Sequence, residues 1–474
     1  MSSEPSEMTT GGRSPPHTPG GSEAEGPSGD FGLAVGSAID GLRSARLRVH
    51  APLLLGFIML FDSWDSVVIA YVLPSLMKEW GIGPAAAGLL MSSGYAGQFI
   101  GAILLGRLAE RFGRMPVFKA AVLVMSVFAL VSSVCPGYNS LLISRFIQGI
   151  AIGGALPVSI TYINELAPKA IRGRYFAAFQ FITISGYAVT AAASAAIIPA
   201  FGWRPMFALG ALPLLLIPFV GLLLPESPRW LASRGRIAQT NKALVKLGGQ
   251  AITVNAAAGT VQTVSPSAKP SPFGELFQPI FVRRTVTLSL LWFVTSYVSF
   301  GIITWIPSIY VTKFHMEIGE SLRYSAVGTF IFVMVIPAVA LIIDRVGRRQ
   351  IAITGSLMSA LAFAALASQI APGIGAIVAM VMIGQFFTAG VSVILWPYTA
   401  ENYPTSVRAT AMGWASSLGR AAALLTPLAV GGLLALTGSI HIVFVIFAVL
   451  ALIATLIWWL VAPETAKIDL DMVH

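Results

Sequence analysis

Twelve apolar stretches occupy most of the chain, and each is long enough to form a helix that crosses a membrane, which takes about 20 mostly apolar residues. Six precede a long polar segment and six follow it: about 51–77, 85–105, 117–135, 140–166, 173–200 and 204–224, then 285–312, 323–343, 351–371, 374–400, 406–435 and 440–461. We therefore predict an all-α membrane protein with twelve transmembrane helices in two six-helix bundles.

The polar segments around these stretches predict the domain organisation. The segment 1–40 is rich in Ser, Gly, Pro and Glu, a composition typical of disorder. The expected parts are a disordered cytoplasmic N-terminal tail (1–48), an N-terminal bundle (49–224), a cytoplasmic linker loop (225–284), a C-terminal bundle (285–462) and a cytoplasmic C-terminal tail (463–474). Within the linker, Ile237–Leu247 has a helical pattern.

Composition agrees with a membrane protein. Apolar residues make up 56% of the chain and charged residues 11%, whereas soluble domains carry roughly 25% charged residues. The mean hydropathy is +0.79. The single cysteine, Cys135, cannot form an internal disulfide.

The net charge of +10 would suit a nucleic-acid partner, but its distribution indicates membrane topology instead. If the N-terminus is cytoplasmic, the cytoplasmic segments hold 24 Lys and Arg, the opposite loops hold 4, and 2 lie inside apolar stretches. Positive residues concentrate on the cytoplasmic side of membrane proteins. We therefore expect a multi-pass protein of the cell membrane (inner or plasma) with both termini cytoplasmic and no nucleic-acid partner.

Two motifs recur in the second half of the chain. Glu110, Arg111, Gly113 and Arg114 match Asp344, Arg345, Gly347 and Arg348, all at one offset along the chain. Tyr162, Glu165, Pro168 and Arg172 match Tyr398, Glu401, Pro404 and Arg408 at almost the same offset. Two independent motifs at nearly one offset indicate that the bundles are duplicated, pseudo-symmetric units.

Residues 45–465 resemble the major facilitator superfamily. The resemblance rests on the loop Gly106–Met115, its weaker copy at 343–349, the segment Pro225–Leu231 (PESPRWL) and Pro463-Glu464-Thr465. It implies the major facilitator fold, in which two six-helix bundles surround a central cavity and rock to open it alternately to each side of the membrane.

Within the superfamily, the chain resembles the aromatic-acid and metabolite proton symporters, which are relatives of the sugar porters. Asp62-x-x-Asp65 matches the first helix of that group, Arg145-x-x-x-Gly149 the fourth, and Gly419-Arg420 the eleventh. Ser63 departs from the usual glycine. The paired glutamines of sugar porters are missing from 285–312, and the Gly-Pro-Gly-Gly pattern of drug antiporters from 173–200, which disfavours a hexose and drug efflux.

Charged residues inside the apolar stretches are costly, so they are candidates for function. Counting along helices that rise about 1.5 Å per residue, in a core about 30 Å thick, puts Asp65, Arg145 and Arg420 all roughly 21–22 Å from the cytoplasmic surface. Asp62 lies one turn nearer that surface, on the same helix face as Asp65. We predict that Asp65, Arg145 and Arg420, which come from three helices, meet at one depth.

For proton coupling, we predict that Asp65 carries the proton, that Asp62 assists and that Arg145 modulates the pair. A nearby guanidinium favours a charged carboxylate, whereas burial favours the neutral acid. If Arg145 pairs with Asp65 in only one conformation, the acid can load a proton on one side and release it on the other. The alternative is a static salt bridge between the first and fourth helices, which would not require a second acid.

For substrate binding, Arg420 is the candidate anchor of a carboxylate, because guanidinium groups bind carboxylates bidentately. Packing against helix-end carbonyls and pairing with Asp62 are the alternatives. Further candidates for lining the cavity are polar or aromatic residues of the apolar helices: Gln148, Gln180, Trp64, Tyr297, Trp305 and Trp396. For the aromatic residues, the alternative is helix packing or an interfacial belt.

The duplicated motifs predict a conformational latch, in which charged groups at the cytoplasmic helix ends form ion pairs between helices or between halves. Its predicted members are Gly106, Glu110, Arg111, Gly113, Arg114, Glu165, Arg172, Asp344, Arg345, Gly347, Arg348, Glu401 and Arg408. The alternative is that the basic members only determine topology.

The preferred function is proton-coupled import of a small organic acid, possibly aromatic, by alternating access. A proton symporter of a sugar or polyol, a proton-driven efflux antiporter and a non-transporting sensor on this scaffold are the alternatives. No zinc-type cluster and no phosphate-binding loop motif occurs in the sequence. We therefore expect no enzyme activity, cofactor, metal or obligatory protein partner; the expected partners are the substrate, protons and membrane lipid.

Overall fold

A computed structural model describes residues 28–42, 50–252, 273–369 and 373–465, and twelve apolar helical spans cross its length. After α1 (Ser28–Gly41), the N-terminal spans are α2 (Ala51–Trp80), α3 (Pro84–Phe112), α4 (Arg114–Ser133), α5 (Tyr138–Leu166), α6 (Arg172–Phe201) and a broken sixth span made of α7 (Arg204–Leu209) and α8 (Ile217–Leu223). The short helices α9 (Pro228–Ser233) and α10 (Ile237–Lys246) follow.

The C-terminal spans repeat this plan with six long helices. They are α11 (Val282–Thr312), α12 (Ile318–Val346), α13 (Arg348–Ala367), α14 (Ile374–Glu401), α15 (Thr405–Thr437) and α16 (Ile440–Leu460). The described residues contain no strand. The predicted all-α fold with twelve spans is therefore confirmed.

The sixth span is interrupted, whereas the apolar pattern predicted one continuous helix over 204–224. Its α-helical turns end at Leu209 and resume at Ile217, with a 3-10 turn over Leu212–Leu216 between them. Pro213 and Pro218 lie in this region, and proline cannot donate the backbone hydrogen bond that continues a helix. The break places Gly210 beside α2.

Glycines bring α3 and α5 into close contact within the N-terminal half. A Cβ atom added at Gly97, Gly101, Gly149 or Gly153 would collide with backbone atoms of the partner helix. Small residues at such positions let membrane helices approach closely. This packing holds α5, which carries Arg145, against the centre of the bundle.

The two halves are joined toward one face of the molecule. Tyr71 and Thr329 share a hydrogen bond of 2.7 Å, and the Ser92 hydroxyl donates to the Leu424 carbonyl at 2.8 Å. A Cβ at Gly88 would collide with the Pro427 carbonyl. These contacts run from the middle of the spans to the ends near residues 81–83 and 438–439. The halves therefore close at the face opposite the predicted cytoplasmic loops.

The predicted disordered tail contains a docked helix, so this part of the prediction is wrong. Along α1, Phe31, Val35 and Ile39 recur every four residues and are buried. They belong to the same apolar cluster as α2, α4 and α5, and the Asp40 carboxylate accepts the Lys169 amide at 3.0 Å. The polar composition of the tail suggested that it buries too little apolar surface to offset the conformational entropy lost on ordering. Burial of this apolar stripe supplies that offset for α1.

The other predicted non-membrane segments are only partly described. The helix predicted at Ile237–Leu247 is confirmed as α10, and a 3-10 turn spans Phe273–Phe277. The predictions for 1–27, 43–49, the part of the linker at 253–272 and the tail after residue 465 lie outside the described residues.

Candidate functional site

Asp62 and Asp65 lie one turn apart on α2, and both are buried. Oδ1 of Asp62 and both carboxylate oxygens of Asp65 lack a hydrogen-bond partner. Gly210, in the break of the sixth span, leaves room for Asp65, because a Cβ there would lie 2.8 Å from Oδ1 of Asp65. Buried polar groups are nearly always paired, so two unpartnered carboxyl groups one turn apart require an explanation.

Arg145 holds the backbone of Asp65 rather than its carboxylate. Its Nη2 donates to the Asp65 carbonyl at 2.6 Å, and its Nη1 donates to Oε1 of Gln148 at 2.6 Å. The guanidinium also lies 5.7 Å from the centre of the Phe207 ring, and its Nε has no partner. The static salt bridge considered as the alternative is therefore not formed in this structure.

Gln148 is a neighbour of Arg145 inside the N-terminal half. It is fully buried, and its Nε2 donates to the Met125 carbonyl at 3.3 Å. Its amide therefore orients the Arg145 guanidinium, and this position favours a supporting role over the predicted substrate contact.

Arg420 reaches the same site from the C-terminal half. Its guanidinium is half-buried and interacts electrostatically with Asp62, although the two form no ion pair in the described part of the chain. The Tyr187 hydroxyl of α6 is also within electrostatic range of Asp62. The structure thus brings together the three charges that the sequence places at one depth, Asp65, Arg145 and Arg420, with Asp62 one turn away on α2.

The other predicted substrate residues are scattered. Gln180 is half-buried with an unpartnered Oε1, and Tyr297 is half-buried with its ring against Phe447 at 6.4 Å. No described contact links either residue to the four charges.

The three predicted tryptophans are not gathered at the site. Trp64 is buried, and its Nε1 donates to the Met206 carbonyl at 3.0 Å within the N-terminal half. Trp305 is buried beside Gly431 near the closed face. Trp396 is exposed and packs edge-on against Trp292 at 4.9 Å. These positions favour the packing alternative for Trp64 and Trp305.

The duplicated motifs form two matching networks. Arg114 pairs with Glu165 at 3.2 Å, and Arg348 pairs with Glu401 at 3.0 Å. Gly113 and Gly347 precede α4 and α13 with φ of 108° and 95°, a backbone region that favours glycine. Each pair joins helices of one half. Of the two kinds that the prediction allows, the described residues thus show ion pairs between helices and none between halves.

Sequence reasoning did not assign a role to Glu226 and Glu464, the two acids that complete these networks. Both lie in motifs on which the family resemblance rests, Pro225–Leu231 and Pro463-Glu464-Thr465. The Glu226 carboxylate accepts the amides of Arg114 and Met115 at 3.0 and 3.2 Å, and the Glu464 carboxylate accepts the amides of Arg348 and Arg349 at 3.0 Å. Each acid therefore caps the first turn of a membrane helix. The signal was present, since Pro225-Glu226 recurs as Pro463-Glu464 at nearly the same offset as the other repeated motifs.

The remaining predicted latch residues contact groups within five residues of themselves or make no ion pair. Arg172 and Arg408 donate to the carbonyls of Ala167 and Tyr403, at 3.5 and 3.3 Å, and Asp344 pairs with Arg348 at 2.9 Å. Glu110, Arg111 and Arg345 are exposed and form no ion pair in the described segments. A Cβ added at Gly106 would meet open space.

Comparison with known proteins supplies the family. Residues 64–474 match the family of sugar (and other) transporters. The niacin transporter NiaP of Acinetobacter baylyi is 30% identical over 92% of this chain and 99% of its own length. The gallate transporter of Pseudomonas putida is 31% identical over 91% of this chain and 95% of its own.

The solved structure of the xylose transporter XylE from E. coli in an inward-open conformation has the same fold. It superposes with a TM-score of 0.68 at 22% identity over 89% of this chain and 98% of that one. The chain is a member of the sugar (and other) transporter family of the major facilitator superfamily, and it is an integral, multi-pass membrane transporter of small molecules rather than an enzyme.

Proposed function

We propose that the protein imports a small organic acid, preferably an aromatic carboxylate, together with protons. The observation that carries this proposal is the pair of buried, unpartnered acids on α2 with an arginine from each half beside it. A buried charge is tolerated only when it is neutralised. Each acid here has two ways to be neutralised, a proton or a guanidinium, and exchange between them couples protons to conformation.

Arg145 is placed to make that exchange at Asp65. In the present conformation its Nη2 binds the Asp65 carbonyl, and we propose that a change of its side-chain rotamer brings it to the carboxylate of the same residue. The acid would then keep its charge without a proton. Switching between carbonyl and carboxylate as the halves rock would let Asp65 release its proton on the side where the site is open.

Arg420 is placed to link substrate to proton at Asp62. If a substrate carboxylate binds the guanidinium, Asp62 loses its positive neighbour and a proton becomes the remaining way to neutralise it. Substrate and proton would therefore bind together. Niacin and gallate, named for the two relatives, are both aromatic rings bearing a carboxyl group, which fits an anchor of this kind.

The proton gradient supplies enough energy for this transport. One proton crossing 100 mV releases about 2.3 kcal/mol. With a monovalent anion, one proton only cancels the substrate charge, so accumulation then depends on the pH difference or on a second proton. We propose Asp62 as the second proton site.

The test is uptake into proteoliposomes with an imposed inward proton gradient. Radiolabelled nicotinate, gallate and xylose are compared for the wild type, Asp65→Asn and Arg420→Gln. Glu317→Gln and Arg323→Gln are matched controls, because both residues are exposed on α12 or just before it and make no ion pair in the described residues.

The proposal expects carboxylate uptake that collapses without the gradient and with Asp65→Asn. Arg420→Gln should raise the KM by tenfold or more, because a bidentate contact is lost, and both controls should behave as the wild type. Xylose uptake in place of carboxylate uptake would establish the sugar symporter instead. Carboxylate exit driven by inward protons would establish the antiporter.

A further inference from the structure

A cavity of about 290 Å³ opens between α11, α14 and the end of α16. It lies where these spans end at the predicted cytoplasmic face, near residues 282, 401 and 460. Arg283, Arg284 and Asn402 line its polar side, and Leu288 and Val461 line its apolar side. The mid-membrane acids and Arg420 are not among its lining residues, so the cavity is separate from the transport site.

The two arginines of this cavity form no ion pair with a carboxylate of the described residues. Nη1 of Arg284 donates to the Asn402 carbonyl at 3.2 Å, and its other donors have no described protein partner. Arg283 is exposed and forms no ion pair with any described residue. The cavity lining therefore presents two guanidinium groups to a ligand.

The nearest acids in sequence are directed elsewhere. Glu401 adjoins Asn402, but its carboxylate pairs with Arg348 at 3.0 Å. The Glu464 carboxylate accepts the Arg348 amide at 3.0 Å. Both acids face α13, and no carboxylate is among the residues that line the cavity.

The polar residue Asn402 of this cavity is not a feature of the internal repeat. Asn402 corresponds to Leu166 in the N-terminal half, by the same offset that relates Tyr398 to Tyr162. Leu166 is 1% exposed and belongs to the apolar cluster that contains Phe31 of α1. The equivalent position is thus filled by apolar packing in one half and is polar in the other, although the adjoining Tyr162 and Tyr398 contacts are the same.

We propose that the cavity binds a phosphate group, either the headgroup of an anionic membrane lipid or a free phosphate anion. Guanidinium groups bind phosphate through parallel hydrogen bonds. Basic pockets between membrane helices on the cytoplasmic side suit acidic headgroups, and the wall formed by Leu288 and Val461 suits the apolar part of a lipid. A bound phosphate would tie α11 to α14 and stabilise the C-terminal half.

The test measures binding to the purified, delipidated full chain in detergent. Native mass spectrometry gives the Kd of phosphatidylglycerol, with phosphatidylcholine as the zwitterionic comparison of zero net charge, and thermal shift measures the effect of inorganic phosphate. The variants are Arg283→Gln and Arg283→Gln with Arg284→Gln. The control is Arg174→Gln with Lys242→Gln, which removes two exposed charges without described partners from the N-terminal half and the linker.

One basic side chain near a lipid surface changes affinity about fivefold, so Arg283→Gln should weaken phosphatidylglycerol binding by about that factor, and the double variant by more. A response to phosphatidylglycerol alone assigns the site to lipid, and stabilisation by inorganic phosphate that the variants lose assigns it to the free anion. Equal binding by wild type and both variants, or an equal loss in the control, overturns the proposal. Arg283 is exposed, so its variant is expected to fold, and the readout does not depend on the transported substrate.

Discussion

At the scale of single residues, the transport site is set by which atoms are left without partners. Asp65 keeps both carboxylate oxygens unpaired, while its backbone carbonyl receives the Arg145 guanidinium. Gln148 holds the other side of that guanidinium at 2.6 Å. Space matters as much as charge here, because Gly210 is the residue whose missing side chain leaves Oδ1 of Asp65 free.

We predict that Gly210→Ala impairs transport with little effect on folding. The new Cβ would lie 2.8 Å from Oδ1 of Asp65, so the carboxyl group must move. Alanine is accepted in the helical backbone at this position, where φ is −58°. Proton-driven uptake should fall about tenfold or more, which corresponds to roughly 1.4 kcal/mol.

The matched control is Gly221→Ala in α8, where an added Cβ meets open space. It should transport as the wild type and be slightly more stable, because glycine inside a helix costs up to about 1 kcal/mol relative to alanine. Normal uptake by Gly210→Ala would mean that Asp65 does not need this space.

At the scale of helices and loops, the same connection occurs twice. A glycine with positive φ starts α4 and α13, an arginine pairs with a glutamate on α5 or α14, and a second glutamate caps the new helix. Tyr162 and Tyr398 add matching bonds to the Pro225 and Pro463 carbonyls at 2.7 and 2.9 Å. These repeated contacts fix each loop to its own half.

The cap at Glu226 predicts a pH dependence of stability. Burial raises the pKa of the Glu226 carboxyl, and the amides of Ser227, Met115 and Arg114 oppose that rise. The folded protein therefore binds the proton of Glu226 more tightly than the unfolded chain does. Protonation of Glu226 stabilises the folded protein fully at low pH, and this stabilisation is lost as pH rises through the pKa of Glu226 in the folded protein.

Thermal melts of wild type and Glu226→Gln from about pH 4 to pH 7 check this sign. The glutamine does not titrate, so the melting temperature of the wild type minus that of the variant should fall as pH rises. A difference that grows with pH would show that the amide bonds outweigh burial.

The docking of α1 predicts a second effect on an element. Val35→Asp places a charge at a fully buried position and should release the helix from the N-terminal half. Hydrogen exchange of residues 28–42 should then be at least about tenfold faster, because burying a valine contributes about 1.5 kcal/mol or more.

Ser37→Asp adds the same charge to the exposed side of α1 and should leave exchange unchanged. Equal exchange in both variants would mean that the apolar stripe does not hold the helix.

At the scale of the whole molecule, the conformation is decided by contacts between the halves. Described hydrogen bonds join them from mid-membrane toward one face, whereas the arginine–glutamate pairs lie within each half. Alternating access requires the first set to break as the opposite face closes. The Tyr71–Thr329 bond joins α2 to α12 through two side chains, so a single substitution removes it.

We predict that Tyr71→Phe shifts the conformational equilibrium toward the state that is open at the face now closed. Loss of one net hydrogen bond of about 1 kcal/mol corresponds to roughly a fivefold change in the ratio of the two states. Spin labels at cysteines replacing Lys78 and Glu317, both exposed near this face, would report the change by pulsed electron paramagnetic resonance, with Cys135 replaced by serine.

Tyr138→Phe is the control, since its hydroxyl bonds the Ala86 carbonyl at 3.1 Å within one half. It should leave the distance distribution of the wild type intact. An unchanged distribution in Tyr71→Phe would show that packing at Gly88 and its neighbours is sufficient to hold the face closed.

The sequence by itself determined the twelve spans, the duplication and the common depth of Asp65, Arg145 and Arg420. These follow from properties that run along the chain: apolar length, motif spacing and the fixed rise of a helix. Average polarity along the chain also predicted a continuous sixth span, although that span contains prolines. It predicted a disordered tail as well, although Phe31, Val35 and Ile39 recur there at helical spacing.

Only the tertiary structure decided which atoms meet. It put the Arg145 guanidinium on the Asp65 carbonyl, turned Trp64 toward Met206 and placed the arginine–glutamate pairs within each half. These outcomes depend on helix rotation and on side-chain rotamers. Spacing along the chain leaves both undetermined, whereas close packing of neighbouring helices selects a single arrangement.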